Sequence, residues 1–509
     1  MINIIDFGSQ TTHLISRRVR DLGISNEIID PEVAFEKIKE SRPAGIIFSG
    51  GPSTVYHDSA PSIEKEIFDL GIPILSICYG CQLTAHVLGG KVKPVQSTFG
   101  PSELLIKDNS ILFKGIPKKI TVWESHSDSV SKLPLGFKSL ASTSNVKNSV
   151  ICCNKKLCFG LHFHPEVEHT QEGKKIFKNF LVDVCGLKTK LRKLDVNQLI
   201  QKIRDQFDKE DKDTKAIAAV SGGVDSTVAG AIVAKAIGKR FIPIYCDNGL
   251  MRVGTRGEVE SIFSDFLKIK PIIIDCKKEF LSKLKDISDP EKKRKIIGNL
   301  YIKIFEREAL KIKKAKFLVQ GTIYSDVIES KGDKLRSKIK SHHNVGGLPA
   351  EMKLKLIEPL RNYYKDEVKE FGRQLGLPED VVNKQPFPGP GQAIRILGSI
   401  TKERLKKQQL ADQIVIEVLK ETGWFAKVFQ SFPIMTDTMT TAVKGDERAY
   451  SELVGLRIYD SRDIMTAGWT RLPYEVLQKI SSRIVNEVPN VSRVAYDITT
   501  KPPATMEWE

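Results

Sequence analysis

Leu75-Ser76-Ile77-Cys78-Tyr79-Gly80-Cys81-Gln82 is an apolar run ending on a cysteine with small residues two positions before and after it, followed by a helical pattern. A strand that turns at once into a helix needs small neighbours at the turn, exposes the central side chain and aims the helix N-terminal amides at it. Ala216-Ile217-Ala218-Ala219-Val220-Ser221-Gly222-Gly223-Val224-Asp225-Ser226-Thr227 repeats the logic: an apolar strand, a glycine turn bearing hydroxyls, and a small-residue helix. Reactive residues on loops at strand ends predict successive α/β domains with mostly parallel sheets.

Working outward, residues 1 to 187 alternate short β-branched runs (Asn3–Asp6, Gly45–Ser49, Ile74–Ile77) with helical stretches. A second α/β pattern follows the charged stretch Lys188–Lys193, with strands expected at Ala216–Val220, Phe241–Tyr245, Pro271–Ile274 and Phe317–Gln320. The run Gln385-Pro386-Phe387-Pro388-Gly389-Pro390-Gly391 reads as a stiff linker that is neither helix nor central strand. Beyond it a smaller α+β unit mixes helices with short strands such as Val491–Ile498. The expected domains are therefore 1–187, 188–385 and 386–509. The 509 residues at 41% hydrophobic content are too many for one core.

Net charge is +17, which suits either a nucleic-acid surface or the handling of phosphorylated small molecules. Basic runs such as Lys292-Lys293-Arg294-Lys295 interleave with Ile296 and Ile297, the pattern of solvated helix faces. No apolar run reaches the ~18 residues of a membrane span, and Met1-Ile2-Asn3-Ile4-Ile5 lacks a basic leader, so a cytoplasmic protein is expected. The eight cysteines (78, 81, 152, 153, 158, 185, 246 and 276) are scattered and form no disulfide framework, which fits a reduced compartment.

Cys78 is placed as a nucleophile at a helix N-terminus. A cysteine nucleophile needs a base and a group that orients the base, and Phe163-His164-Pro165-Glu166 supplies both after the apolar segment Cys158–Phe163. His162 competes as base, but in an extended segment His162 and His164 face opposite ways, so only one meets Cys78. The turn Gly50-Gly51-Pro52 can bring backbone amides to an oxyanion. A structural thiol, or a redox or zinc half-site Cys78-x-x-Cys81, are the other readings of the local motif; no second CxxC pair exists.

With these segments, residues 1–187 resemble a class I glutamine amidotransferase domain, with Ser76 where that family has Gly and His162 where it has Gln. The resemblance implies Cys78 as nucleophile, His164 as base, Glu166 as its orienter, and the Gly51 and Tyr79 amides as oxyanion donors. It further implies glutamine contacts from Gln82, His126 and Asp128; Asp6-Phe7-Gly8-Ser9-Gln10 and Trp123-Glu124-Ser125-His126-Ser127-Asp128 resemble segments near that pocket, Glu124 and Ser127 being unusual there.

The second stretch is an anion nest in which amides and the Ser221, Ser226 and Thr227 hydroxyls meet phosphate oxygens. It lacks the Lys of a Walker loop and carries Asp225, a candidate ligand for a metal ion. It resembles the loop of N-type ATP-pyrophosphatases, which leave an adenylate. The match implies ATP contacts from Ser221, Gly222, Gly223, Val224, Asp225, Ser226 and Thr227, and from Asp247, Gly321 and Lys340 in further matching segments, with Mg2+ on Asp225. A glutaminase joined to an adenylylating domain exchanges C=O for C–NH2.

Lys340-Ser341-His342-His343-Asn344, the Pro386–Gly391 run, Arg493–Asp497 and the tail Lys501-Pro502-Pro503-Ala504-Thr505-Met506-Glu507-Trp508-Glu509 are similar to glutamine-hydrolysing GMP synthetases, in order along essentially the full length. Met506 stands where Ile is usual, and Lys444 where the family often has Gln or Met. The resemblance implies that XMP O2 is adenylylated and that ammonia displaces AMP to give GMP. By the same resemblance Arg252, Lys444, Lys501 and Glu507 are the expected XMP contacts, Lys340 is expected in a lid over ATP, and the C-terminal unit is expected to make a homodimer. No nucleic-acid or membrane partner is expected. Two rivals remain open at this point: a tRNA-modifying enzyme, which would not need the Cys78, His164 and Glu166 set, and a nucleic-acid-binding protein, which explains only the charge.

Overall fold

The computed structural model describes residues 1–108, 110–190, 194–331, 354–444, 447–461, 466–501 and 503–509. They fall into two compact units, Met1–Lys193 and Leu194–Glu509.

The first unit is built on nine strands: β1 (Ile2–Ile5), β2 (Asn26–Ile29), β3 (Gly45–Phe48), β4 (Ile74–Ile77), β5 (Lys91–Ile106), β6 (Lys119–Lys132), β7 (Lys138–Ser142), β8 (Val150–Cys153) and β9 (Cys158–Leu161). Their order is β2-β1-β3-β4-β9-β8-β7-β5-β6. The half from β2 to β9 is parallel. Its strands β1, β3, β4 and β9 are four-residue runs buried throughout, as strands covered on both faces must be. The Leu/Ile/Val-rich later half runs antiparallel instead. There β6 alternates buried Val122, Glu124 and His126 with half-buried Trp123 and Ser125, the pleat of a sheet with unlike faces. The parallel half presents Cys78 and the segment after β9 at neighbouring strand ends.

Two close approaches explain the small residues flanking the turn. A Cβ on Gly80 would lie 2.7 Å from Phe48 Cβ and 2.8 Å from the Ser49 carbonyl, and one on Gly160 would lie 2.7 Å from Cys81 Sγ. The helix Tyr79–Val87 thus sits directly on β3 and β9.

The second unit holds a parallel sheet ordered β12-β11-β10-β13-β14, with β10 (Lys215–Ala219), β11 (Phe241–Asp247), β12 (Ile272–Asp275), β13 (Ala315–Val319) and β14 (Lys355–Ile357). The helix Val224–Ile237 is buried along almost its whole length against this sheet and Val368, Phe371 and Val382. A further sheet pairs β15 (Gln430–Lys444) with β16 (Glu447–Asp460), flanked by β17 (Gly468–Trp469) and, in parallel, β18 (Val491–Tyr496).

One core cluster joins Leu250, Phe280 and Ile297 to Val415, Leu456 and Ile480, so residues on both sides of Pro386–Gly391 share an interior. That run, which reads as a linker, is packed: Gln392 N donates to the Leu250 carbonyl at 2.7 Å, and a Cβ on Gly391, at φ +65°, would collide with the same carbonyl. Cys246 and Cys276, 30 residues apart at the ends of β11 and β12, are joined as a disulfide, a single bridge and not a disulfide framework. The other six cysteines are free. Among the described residues no helix is long and apolar enough to cross a membrane.

Gly80→Ala should destabilise the first unit by about 2 kcal/mol, because the obstacle is a β-strand and not a movable side-chain tip. Gly257→Ala, in the helix Thr255–Glu260 with open space around it, should be neutral or stabilise by up to about 1 kcal/mol. Urea denaturation of both variants checks the contrast.

Candidate active site

Cys78 caps the helix Tyr79–Val87 with φ +50° and ψ −110°, a conformation rare for any residue with a side chain. The turn is fixed on both sides. Cys78 N donates to the Leu161 carbonyl at 2.7 Å, and Gly80 N to the Ser49 carbonyl at 3.1 Å. Cys78 Sγ donates to the Ser125 carbonyl at 3.6 Å. His164 adjoins Cys78: a Cβ on Gly50 would lie 3.2 Å from His164 Cε1 and 3.5 Å from Cys78 Cβ. His164 Nδ1 meets Glu166 Oε1 at 2.7 Å, and Glu166 is fully buried.

Burial by itself disfavours the His164 imidazolium, but the Glu166 carboxylate and Cys78 outweigh it and hold the pKa well above the ordinary histidine range. The ring is also placed through its backbone, since His164 N donates to the Trp123 carbonyl at 2.9 Å and Thr170 Oγ1 to the His164 carbonyl at 2.6 Å. The competing His162 is turned away. It is fully buried, its Nε2 accepts from Val130 N at 3.3 Å, and burial with neighbouring His126 pushes its pKa down to about 3.

Of the other residues expected here, Gly51 is held close to its neighbours: a Cβ would lie 2.7 Å from the Phe7 carbonyl oxygen and 3.3 Å from the Tyr79 ring. Gln82 Nε2 donates to the Asp128 carbonyl at 2.9 Å, which joins two of the three residues expected to contact glutamine. His126 goes elsewhere: it is buried, 3.5 Å from Glu124 Oε1 and edge-on to His162 at 5.5 Å. Cys81 is fully buried and burial pushes its thiol pKa well up, which leaves it a protonated packing group.

In the second unit the loop after β10 is closed by its own hydroxyls. Ser226 Oγ lies 3.1 Å from Ser221 Oγ and accepts from Ser221 N at 3.3 Å, while Gly223 N donates to Ser221 Oγ. Gly222 takes φ +77°, the left-handed conformation the turn demands. Val224 opens the helix and is buried, as is Thr227, whose Oγ1 has no hydrogen-bond partner. Gly321, after β13, packs against the Asp225–Ser226 peptide, where a Cβ would come within 2.9 Å. Asp225 Oδ2 accepts from Lys365 Nζ at 2.5 Å, while its Oδ1 is buried with no hydrogen-bond partner. Asp247 pairs with Lys277 at 3.0 Å.

Sequence reasoning missed Lys365 and Lys384, whose Nζ donates to the Gly222 carbonyl at 3.0 Å. For Lys365 a signal existed. It is the first residue of the helix Lys365–Gln374, where a cation opposes the helix dipole unless it is used elsewhere.

Arg252 and Glu507 meet protein partners. Arg252 donates to both Asp412 carboxylate oxygens at 3.0 and 3.3 Å, and Asp412 lies 3.8 Å from Arg395. Fully buried Arg395 binds Glu507 through two bonds of 3.0 and 2.9 Å. Lys501 bridges to Ala467 as an extra strand residue. A cavity of about 410 Å³ opens among Arg457, Asp497, Thr499, Thr505, Glu507 and Trp508. Lys340 and the Lys444 side chain lie outside the described residues.

The model of class-I glutamine amidotransferases matches residues 3–184, and that of the GMP synthase C-terminal domain matches residues 417–508. The chain is 48% identical, over all of its length and 99% of theirs, to glutamine-hydrolyzing GMP synthases of Caldanaerobacter subterraneus and Clostridium botulinum. It is equally similar to that of Carboxydothermus hydrogenoformans, over 99% of each chain. Likeness at that level from end to end, over both units and both loops described above, makes this chain a member of the glutamine-hydrolyzing GMP synthase family.

Proposed function

We propose that Cys78, His164 and Glu166 carry out the glutaminase half of GMP synthesis and that the Ser221–Thr227 loop holds the ATP that activates XMP. The observation that carries the reading is the Cys78 turn at φ +50° beside a histidine bonded to a buried carboxylate at 2.7 Å. Cys78 sulfur attacks the glutamine side-chain carbonyl, with the proton on His164 and the oxyanion facing the Gly51 and Tyr79 amides. His164 then protonates the departing ammonia, and water releases glutamate from the thioester. Gln82 and Asp128, bonded to one another, form the glutamine wall.

In the second unit XMP O2 attacks the ATP α-phosphate and pyrophosphate leaves; ammonia adds at C2 and AMP departs with O2, giving GMP. The loop amides and the Ser221 and Ser226 hydroxyls hold phosphate oxygens, with Lys365 and Lys384 beside them. Asp225 fits a magnesium ion in one respect, its buried and unpartnered Oδ1. No cluster of three or more such ligands exists among the described residues, so Asp225 and the phosphates together would hold the ion, which when bound neutralises phosphate charge. Lys501 and the cavity bordered by Glu507 form part of the XMP site, while Arg252 and Glu507 shape it through Asp412 and Arg395. The β15–β16 hairpin exposes Met439, Val443 and Tyr450, an apolar arm suited to a second copy of the chain.

Cys78→Ala should abolish glutamine-dependent GMP formation while ammonium-dependent formation stays within about twofold; loss of both would contradict separate sites. Glu166→Gln removes the carboxylate that holds the His164 pKa up, so the alkaline limb of the glutaminase pH profile should move to lower pH. Asp225→Asn should cut synthesis from either nitrogen source by about a hundredfold or more, read as AMP and pyrophosphate release with XMP and ATP.

A further inference from the structure

Thr11 stands at the N-cap of the helix Thr12–Asp21, where a threonine hydroxyl ordinarily accepts from its own helix's first amides. It makes no such bond. Its hydroxyl instead donates to Glu166 Oε1 at 2.7 Å, across 155 residues of sequence. That is the same oxygen that meets His164 Nδ1, while Glu166 Oε2 is buried and has no partner.

The hydroxyl is held for this task. Ser9 Oγ lies 2.9 Å from Thr11 Oγ1 and accepts from Thr11 N at 3.2 Å. The Asp6 carboxylate pins both flanks of the segment, accepting from Gly8 N at 3.0 Å and from Thr12 Oγ1 at 2.7 Å. The same helix fixes the backbone behind the carboxylate, since Arg18 Nε donates to the Glu166 carbonyl at 2.9 Å and its guanidinium pairs with Glu168.

We propose that Thr11 is a positioning residue for the glutaminase, its hydroxyl fixing the Glu166 carboxylate so that one oxygen faces His164. The inference rests on the Cys78, His164 and Glu166 reading above. A carboxylate two residues from the histidine it orients has rotational freedom of its own; one donor cannot fix the plane of the group, whereas two donors on one oxygen can. The effect falls on the step in which His164 takes and returns a proton, and not on glutamine binding, because Thr11 reaches the substrate only through Glu166 and His164.

The test compares Thr11→Val, Thr11→Ser and Cys78→Ala in the full chain with XMP and ATP present. Thr11→Val, near-isosteric but without the hydroxyl, should lower kcat for glutamine by about tenfold, the loss of a hydrogen bond to a charged group, with KM within about twofold. Thr11→Ser should restore most of the rate, and ammonium-dependent synthesis should be unchanged in both. An unchanged kcat in Thr11→Val, an effect confined to KM, an equal fall in Thr11→Ser, or a parallel fall with ammonium would each overturn the proposal. If Cys78→Ala loses glutamine use while Thr11→Val does not, the inference alone fails; if Cys78→Ala keeps it, the triad reading fails and the proposal with it.

Discussion

The backbone of Cys78 is the constraint on which the first unit turns. A non-glycine residue at φ +50° costs about 1–3 kcal/mol and persists only where its surroundings over-determine it. Here three neighbouring strands do so: β9 through Leu161, β3 through Ser49 and β4 through direct continuity. Gly80 and Gly160 exist to let the helix close on those strands, so the residues that make the turn possible are also those that cannot grow. The turn sets the Cys78 side chain beside the His164 ring.

What was legible in the sequence was local. The elbow, the His164-Pro165-Glu166 group and the phosphate loop are contiguous, and each needs particular residue types at fixed spacing. Burial patterns also marked the parallel strands of both units. The antiparallel half of the first sheet was not legible, because an apolar run does not encode the direction of its neighbour. Neither were partners remote in sequence: Asp225 with Lys365, Arg252 with Asp412, and Arg395 with Glu507 lie 140, 160 and 112 residues apart. Arg252 and Glu507 looked like free recognition groups for that reason. Side chains whose counter-charges come from distant helices cannot be told from ligands by the stretch around them.

The departures from family pattern become intelligible once contacts are known. Ser76 is fully buried, and its hydroxyl donates to the Phe159 carbonyl at 3.1 Å, so the larger residue brings its own hydrogen-bond solution. Met506 acts through its backbone: its carbonyl accepts from Arg457 Nε at 3.2 Å while its side chain packs against the cluster of Phe432, Ile434 and Tyr459, a role any flexible apolar group can fill.

Glu124 and His162 both adjoin His126. Glu124 is fully buried between Val122 and His126 on one face of β6, and burial alone would push its pKa up. The His126 ring 3.5 Å away and the Ser102 and Thr143 hydroxyls overcome this and hold it below the usual carboxylate range. His162, edge-on to His126, fills the far side with a neutral ring, which burial keeps uncharged. A cationic side chain there would compete with His126 for the carboxylate, and an aliphatic one would strip the Val130 amide of its acceptor. The cluster lies behind Trp123 and Ser125, whose carbonyls receive the His164 amide and the Cys78 thiol. Glu124 Oε2, both His126 ring nitrogens and His162 Nδ1 are buried with no hydrogen-bond partner, so the cluster supports β6 through packing and charge and not through a closed hydrogen-bond network.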